Sequence, residues 1–305
     1  MADVSTIETA RLCKSYDGGA QVEALRGLDL RVPSGSIFGF LGRNGAGKTT
    51  TIKVLLGMAR PTSGEARVFG LPCGAADASV EIRRRTGFVS DDKELYGSMT
   101  VEEIIGFTAG FFPKWRTDLE QRYRKSFELP PDRKVKTLSR GTRTKLALLL
   151  AFCRGAELLV LDEPTSGLDP AMTEEVLQIL VHHVAEGETT VFFSSHQIAE
   201  VDQIADHVAI VDRGRSVVAG ALDDLRDQYR RVQMVFEHAV PDLPAAMTDA
   251  AGVRRISRDG RVLTVLSSTG GDAVVQAARS LNARSIDVSP VSLKDIFLET
   301  VAVED

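Results

Sequence analysis

A lysine set behind closely spaced glycines and ahead of hydroxyl residues is the feature of this chain best suited to hold phosphate. Gly42, Arg43, Asn44, Gly45, Ala46 and Gly47 form a glycine-rich loop, followed by Lys48, Thr49 and Thr50. Glycines let backbone N–H groups curl around phosphate oxygens, and a helix starting here adds the positive end of its dipole. Lys48 can reach the β- and γ-phosphates of a nucleotide, and the Thr49 hydroxyl can ligate Mg2+. A second chemical pair, Asp162-Glu163, ends an apolar run. Asp162 can hold a Mg2+ shell, directly or through water, and Glu163 is placed to polarise an attacking water as general base. Each feature has a plainer reading, a turn before a helix or an ordinary strand exit. Their occurrence in one chain favours a nucleotide site.

Such a loop needs a strand before it and a helix after it. Ser36 to Leu41 reads as a short buried strand, and Thr49 onward, with Ile52, Val54, Leu55 and Leu56, as a helix ended by Gly57. Upstream, residues 6–14 and 21–32 alternate apolar and polar positions and read as antiparallel strands. Tyr16, about one strand pair ahead of the glycines, could stack on a purine base. Taken alone it reads more readily as a half-exposed surface aromatic.

Downstream, residues 66–69 and 87–90 read as strands and 78–85 as a helix. Thr100 with Glu103 is a capping box opening a helix. About three helices fill residues 98–154, a helical subdomain interrupting the α/β pattern, with Trp115 as a packing residue. Strands return at 157–161, 189–195, 208–212 and 215–218. A helix runs from Pro170 to about Glu186, with Asp169 as N-cap and Gly187 just beyond its end. Near-continuous apolar strands alternating with helices indicate a parallel sheet buried on both faces. From residue 219 the character changes. Strands at 231–237, 252–258, 261–267 and 284–288 and helices at 242–250, 272–282 and 292–300 follow the βαββαβ order of a ferredoxin-like split motif. No catalytic cluster stands there, so residues 223–305 read as an accessory or regulatory domain beside a domain of residues 1–222 that carries the candidate nucleotide site.

The composition sets limits on this reading. The chain has 305 residues, 43% apolar and 26% charged, enough for one large domain and a small one. Its net charge of −5 argues against nucleic acid as a partner. Cys13, Cys73 and Cys153 form no Cys-x-x-Cys pair and read as reduced packing residues of a cytoplasmic protein. The first residues lack the pattern of a signal peptide, and the longest apolar run, Leu146 to Cys153, is far shorter than a bilayer span. The chain is therefore expected not to enter a membrane by itself.

From residue 6 to 218 the ordered motifs resemble the ATP-binding subunits of ABC transporters. Gly42–Thr49 resembles the Walker A loop, Leu158–Glu163 the Walker B strand with its catalytic glutamate, and Ser166-Gly167-Leu168-Asp169 the D-loop. His196 is similar to the switch histidine that contacts the γ-phosphate and the attacking water. Tyr16 stands where the family stacks adenine, which reverses the plainer reading above, whereas His182, His183 and His207 match no family motif and read as surface or packing residues. Residues 138–142, Leu-Ser-Arg-Gly-Thr, depart from the family signature Leu-Ser-Gly-Gly-Gln. Ser139 and Gly141 survive, resembling the residues that touch the γ-phosphate across a dimer, while Arg140 and Thr142 alter the flanks. Asp91 stands where the family usually has the Q-loop glutamine; its carboxylate can still join a Mg2+/water shell.

The resemblance implies a P-loop ABC ATPase fold: a parallel-sheet core, an antiparallel β subdomain and a helical subdomain. It implies ATP hydrolysis through Glu163, His196 and Lys48, nucleotide contacts from Tyr16 and residues 42–50, and metal contacts from Thr49, Asp91 and Asp162. Two partners are implied, a second ATPase subunit (the same chain or another) and an integral membrane permease. The chain would then lie at the cytoplasmic face of the cell membrane. Phe112-Pro113-Lys114-Trp115 and Thr144-Lys145-Leu146 look like an export-type branch. Two other classes stay open, a soluble ABC-type ATPase acting on ribosomes or DNA and a non-hydrolysing ATP-gated regulator. One Walker A loop, the lack of a heptad run between Thr49 and Leu138, and the pair Glu163 and His196 count against them.

Overall fold

The computed structural model describes residues 5–16, 22–187, 189–243, 252–269, 271–279 and 281–301. The chain divides into two compact units, Met1–Ala219 and Gly220–Asp305, where the sequence suggests a boundary after residue 222. In the first unit the fully buried strands β3 (Ile37–Gly42), β7 (Leu158–Asp162) and β8 (Thr190–Ser195) lie at the centre of a six-stranded sheet. The sheet is completed by β6 (Thr86–Val89), β9 (His207–Asp212) and β10 (Arg215–Ala221), in the order β10-β9-β3-β8-β7-β6. The β3/β8, β3/β9, β7/β8 and β6/β7 pairs are parallel. Parallel strands need crossovers, and covering both faces explains the near-continuous apolar runs. Phe38, Phe40 and Phe192 stack through the centre, with ring centroids 5.8 and 5.1 Å apart.

Beside it stands the antiparallel sheet expected from the alternating residues near the start. β1 (Ser5–Tyr16) pairs with β2 (Val22–Pro33) and with β4 (Ser63–Val68), which pairs with the two-residue β5 (Leu71–Pro72). Helix α1 (Lys48–Leu55) follows the glycine loop and buries Ile52, Val54 and Leu55. Helix α2 (Ala76–Arg85) leads into β6.

The helical segment holds α3 (Val101–Ala109), α4 (Thr117–Ser126) and α5 (Arg140–Phe152). Thr100 and Glu103 form the expected capping box at α3. Tyr123, Phe127 and Phe152 pack together, and His183 of α6 (Pro170–Ala185) stacks on Phe152 with centroids 4.2 Å apart. Asp169 caps α6 through the Met172 N–H, and Pro170 takes the first turn, as its residue types require. Helix α7 (Ile198–Ile204) precedes β9.

The second unit opens with α8 (Leu222–Gln228), a short helix that the sequence hides because only Leu222 and Leu225 are buried in it. Four strands follow, β11 (Arg230–Val235), β12 (Val253–Asp259), β13 (Val262–Ser267) and β14 (Ser285–Pro290), in the order β12-β13-β11-β14. Every neighbouring pair is antiparallel. β13 separates β11 from β12, and β11 separates β13 from β14, which is the split arrangement expected from the βαββαβ order. Val232, Met234, Phe236, Leu263 and Val265 form its core with Val274 and Ala278 of α9 (Asp272–Arg279). Helix α10 (Leu293–Val301) closes the described chain. The helix expected near 242–250 lies almost wholly outside the described residues.

Candidate active site

Parallel strands present their C-terminal ends on one edge, and ligands of such sheets bind there. β3, β8 and β7 are neighbours, so the glycine loop, His196 and the acidic pair emerge side by side. Gly42 ends β3 against β9: a Cβ there would meet the Val211 carbonyl oxygen at 2.6 Å. Gly47, at φ 106°, turns the chain into α1 and is its N-cap, with no side-chain cap hydrogen bond. The first-turn amides of Lys48, Thr49 and Thr50 lack intrahelical acceptors, a standing site for an anion. Arg43, Asn44 and Gly45 are exposed, whereas Ala46 is buried and anchors the loop by accepting the Gly214 N–H at 2.9 Å.

Lys48 is buried at the base of the loop. Its Nζ donates to the Gly42 carbonyl at 2.7 Å and the Arg43 carbonyl at 3.3 Å, and lies 3.1 Å from Glu163 Oε1. The other Glu163 oxygen, Oε2, is 2.7 Å from His196 Nδ1. An ionised carboxylate only accepts, so this contact puts the hydrogen on Nδ1. Glu163 itself adopts φ 48°, left-handed backbone that a non-glycine residue holds only under constraint. The constraint is partly Ser194 of β8, whose hydroxyl accepts the Glu163 N–H at 3.0 Å and donates to Asp162 Oδ1 at 2.6 Å. Asp162 Oδ2 takes the Thr49 hydroxyl at 2.9 Å. A hydroxyl and a carboxylate converging beside the loop are hard oxygen donors of the kind a Mg2+ ion uses, so these residues fit the ion.

The structure brings Lys48, Thr49, Asp162, Glu163 and His196 into one contact network. The other sequence-derived residues stand differently. The Asp91 carboxylate faces Arg140, 4.0 Å from its Nη2, and no hydrogen bond joins it to Thr49 or Asp162 among the described residues. Ser139 is exposed and caps α5, accepting the Thr142 N–H at 3.1 Å. Gly141 is buried in the first turn of α5, where a Cβ would come within 3.2 Å of the Met172 sulfur. Arg140 donates to the Ser166 hydroxyl at 3.2 Å. Tyr16 is exposed at the end of β1, with the Lys14 ammonium 4.8 Å from its ring centroid.

Two residues of this network are missed by sequence reasoning. Ser194 could have been found as a hydroxyl at the end of an otherwise apolar strand. Lys93 had no such signal: it reads as part of a polar loop, yet it is only 4% exposed. Its Nζ donates to the carbonyls of Asp91 at 3.0 Å and Glu163 at 3.3 Å. Burial pulls its pKa below the usual lysine range against the attraction of Asp91.

Fold and site together define a P-loop ATPase, with phosphate loop, metal-type oxygens and a carboxylate–histidine pair on one sheet edge. Residues 25–166 match the family described as ABC transporter, and residues 132–202 match one described as AAA domain, putative AbiEii toxin, Type IV TA system. The chain is 34% identical to the daunorubicin/doxorubicin resistance ATP-binding protein DrrA of Streptomyces peucetius, over 96% of this chain and 91% of that one. It is 31% identical to the bacitracin transport ATP-binding protein BcrA of Bacillus licheniformis, over 97% of each. In fold it is similar to the dimeric ATP-binding cassette MJ0796 in a post-hydrolysis state bound to ADP and Pi, with a TM-score of 0.64 at 22% identity. That likeness covers 71% of this chain and 98% of that one. The chain belongs to the ATP-binding subunits of ABC transporters. It binds and hydrolyses ATP as a nucleotide-binding subunit.

Proposed function

We propose that this subunit powers an exporter, as a dimer of ATPase subunits beneath a separate membrane permease. The observation that carries the catalytic part is the position of Glu163 between Lys48 and His196, one residue from the Asp162–Thr49 pair. In this reading Lys48 exchanges the Glu163 carboxylate for phosphate oxygens when ATP enters. Glu163, still oriented by His196, then takes the proton of the attacking water. Thr49 and Asp162 would hold Mg2+, with Asp91 contributing to its water shell, and the ion would supply charge neutralisation at the phosphates. Tyr16 stacks on the adenine. Ser139 and Gly141 close over the nucleotide bound by the second subunit's residues 42–50, and the exposure of Ser139 supports a role outside its own chain.

Export is favoured by the roles for which the two relatives above are named, resistance to daunorubicin/doxorubicin and transport of bacitracin. Among the described residues no helix is long and apolar enough to cross a membrane. The permease-facing surface lies on the helical segment. Phe111 is 65% exposed, Tyr96 61% and Phe107 43%, and the three rings meet edge to face at 5.0 and 5.6 Å. Beside them Phe111, Phe112 and Pro113 line a cavity of about 380 Å³ in which four cationic side chains outnumber two carboxylates, Glu81 and Glu157. Exposed aromatic rings next to cations suit a short amphipathic permease helix with acidic residues. The unit from Gly220 onward serves as an accessory or regulatory domain.

The test is Phe107→Ser with Phe111→Ser in the assembled complex. Transport and ATP-hydrolysis stimulation by the permease are expected to fall about tenfold or more, with basal hydrolysis by the subunit unchanged. Full stimulation in the double variant would refute the docking surface.

A further inference from the structure

The loop after β6 and the loop after β7 leave neighbouring strands and are tied together by one side chain. Ser90 to Lys93 makes a tight turn, in which the Lys93 N–H donates to the Ser90 carbonyl at 3.1 Å and Lys93 takes φ 47°. Its side chain then runs inward rather than to solvent, which is unusual for lysine. Burying an ammonium is costly unless its donors are matched, and here they meet two main-chain carbonyls, of Asp91 and Glu163. Asp91, Asp162 and Glu163 attract the ammonium and Arg140 repels it. Glu163 therefore has its N–H held by Ser194 and its carbonyl held by Lys93, on either side of a strained φ. Strained backbone of this kind persists where the surroundings over-determine it.

We propose that Lys93 is a positioning residue for the general base. By holding the Glu163 carbonyl it fixes the left-handed backbone that aims the carboxylate between Lys48 and His196. By holding Asp91 as well, it makes the aim of Glu163 depend on the loop that leads toward α3 and the helical segment. This inference rests on the assignment of Glu163 as base. Lys93 touches no reacting atom; its effect passes through the main chain of its neighbour.

The experiment compares ATP hydrolysis by the full chain carrying Lys93→Met, Lys93→Arg, Glu163→Gln, and Lys93→Met with Glu163→Gln. Misaiming a catalytic group by about 1 Å costs on the order of 10²-fold. Lys93→Met should therefore lower kcat about 10- to 100-fold while KM and ATP binding stay within about threefold. Lys93→Arg keeps the donors and should retain more of the rate than Lys93→Met. In the Glu163→Gln background Lys93→Met should remove no further activity, because the group it positions is already gone. If Lys93→Met fails to fold, Lys93→Gln, too short to span both carbonyls, is expected to give the same split between kcat and KM. A kcat within threefold of wild type, a KM rising in step with the loss, equal loss in the Arg and Met variants, or multiplicative losses in the double variant would each overturn the proposal. A slow Glu163→Gln beside a wild-type-like Lys93→Met would sink the role of Lys93 alone. A Glu163→Gln enzyme at the wild-type rate would remove the base and this inference together.

Discussion

Two parts of this subunit face the nucleotide in the proposed function, and they are built in opposite ways. The strand-end cluster is closed on itself: Glu163 contacts both Lys48 and His196, and Thr49, Asp162 and Ser194 form a second chain of hydrogen bonds beside them. The signature turn is tied to other segments of its own chain, with Ser139 capping α5 and Arg140 reaching Ser166 and facing Asp91. The first is assembled by the sheet of a single chain. Among the described residues, no hydrogen bond joins Ser139 of the second to Lys48, Glu163 or His196. Under the proposed function, the contrast makes binding and orientation properties of one subunit and completion of the site the property of a pair.

The sharpest way to break this contrast is at Lys48. Lys48→Ala removes a buried charge that faces both the loop and Glu163, and ATP affinity of the isolated subunit should fall about 10²-fold, measured by titration calorimetry. Unchanged affinity would mean that the cluster is not where phosphate binds.

A next effect separates the helical packing from the site by pH. Burial pulls the His183 pKa down to about 4 from an ordinary 6.5, against the attraction of Glu186. The unfolded chain then binds more protons, so this residue's contribution is complete above about pH 6.5 and is lost as pH falls toward 4. Between pH 7.5 and 4.5 the loss amounts to roughly 2–3 kcal/mol. Chemical denaturation of wild type and His183→Phe at both values isolates it. An equal pH dependence of the two would contradict the assignment.

A smaller effect is expected at the signature. Ser139→Ala should leave ATP affinity of the isolated subunit within about threefold and weaken α5 by about 1 kcal/mol through its lost cap, while lowering turnover of the assembled dimer. Loss of affinity in the isolated chain would erase the contrast. The smallest effect belongs to the second unit. A chain ending at residue 222 keeps β10 and the whole of the first unit, and should bind ATP like the full chain. Lost binding in a well-folded truncation would mean that the second unit contributes to the site.

Much of the strand-end cluster is legible in the residues themselves. A glycine loop between strand and helix, Asp-Glu at the end of an apolar strand, and caps at Thr100 and Asp169 are local chemistry that neighbours along the chain dictate. What could not be read depends on contacts between distant segments. Lys93 looks like any polar-loop lysine, because the Glu163 carbonyl that its buried ammonium meets lies far along the sequence. The left-handed backbone of Glu163 is held between contacts to Ser194 and Lys93, and no residue type announces it. Asp91 and Arg140 are two separate departures from the family pattern in sequence; only the fold turns them toward each other. In the second unit, α8 is hidden because two leucines in seven residues make no clear period.

The pairing of subunits through ATP is the central claim, and sizing Glu163→Gln tests it most directly. This change keeps the shape of the base but removes its ability to take a proton, so hydrolysis should fall about 10²- to 10⁴-fold and bound ATP should persist. Size-exclusion chromatography with light scattering, without nucleotide and with ATP-Mg2+, should show a monomer becoming a dimer. The same monomer under both conditions, alone and with the cognate partner ATPase subunit, would contradict the account.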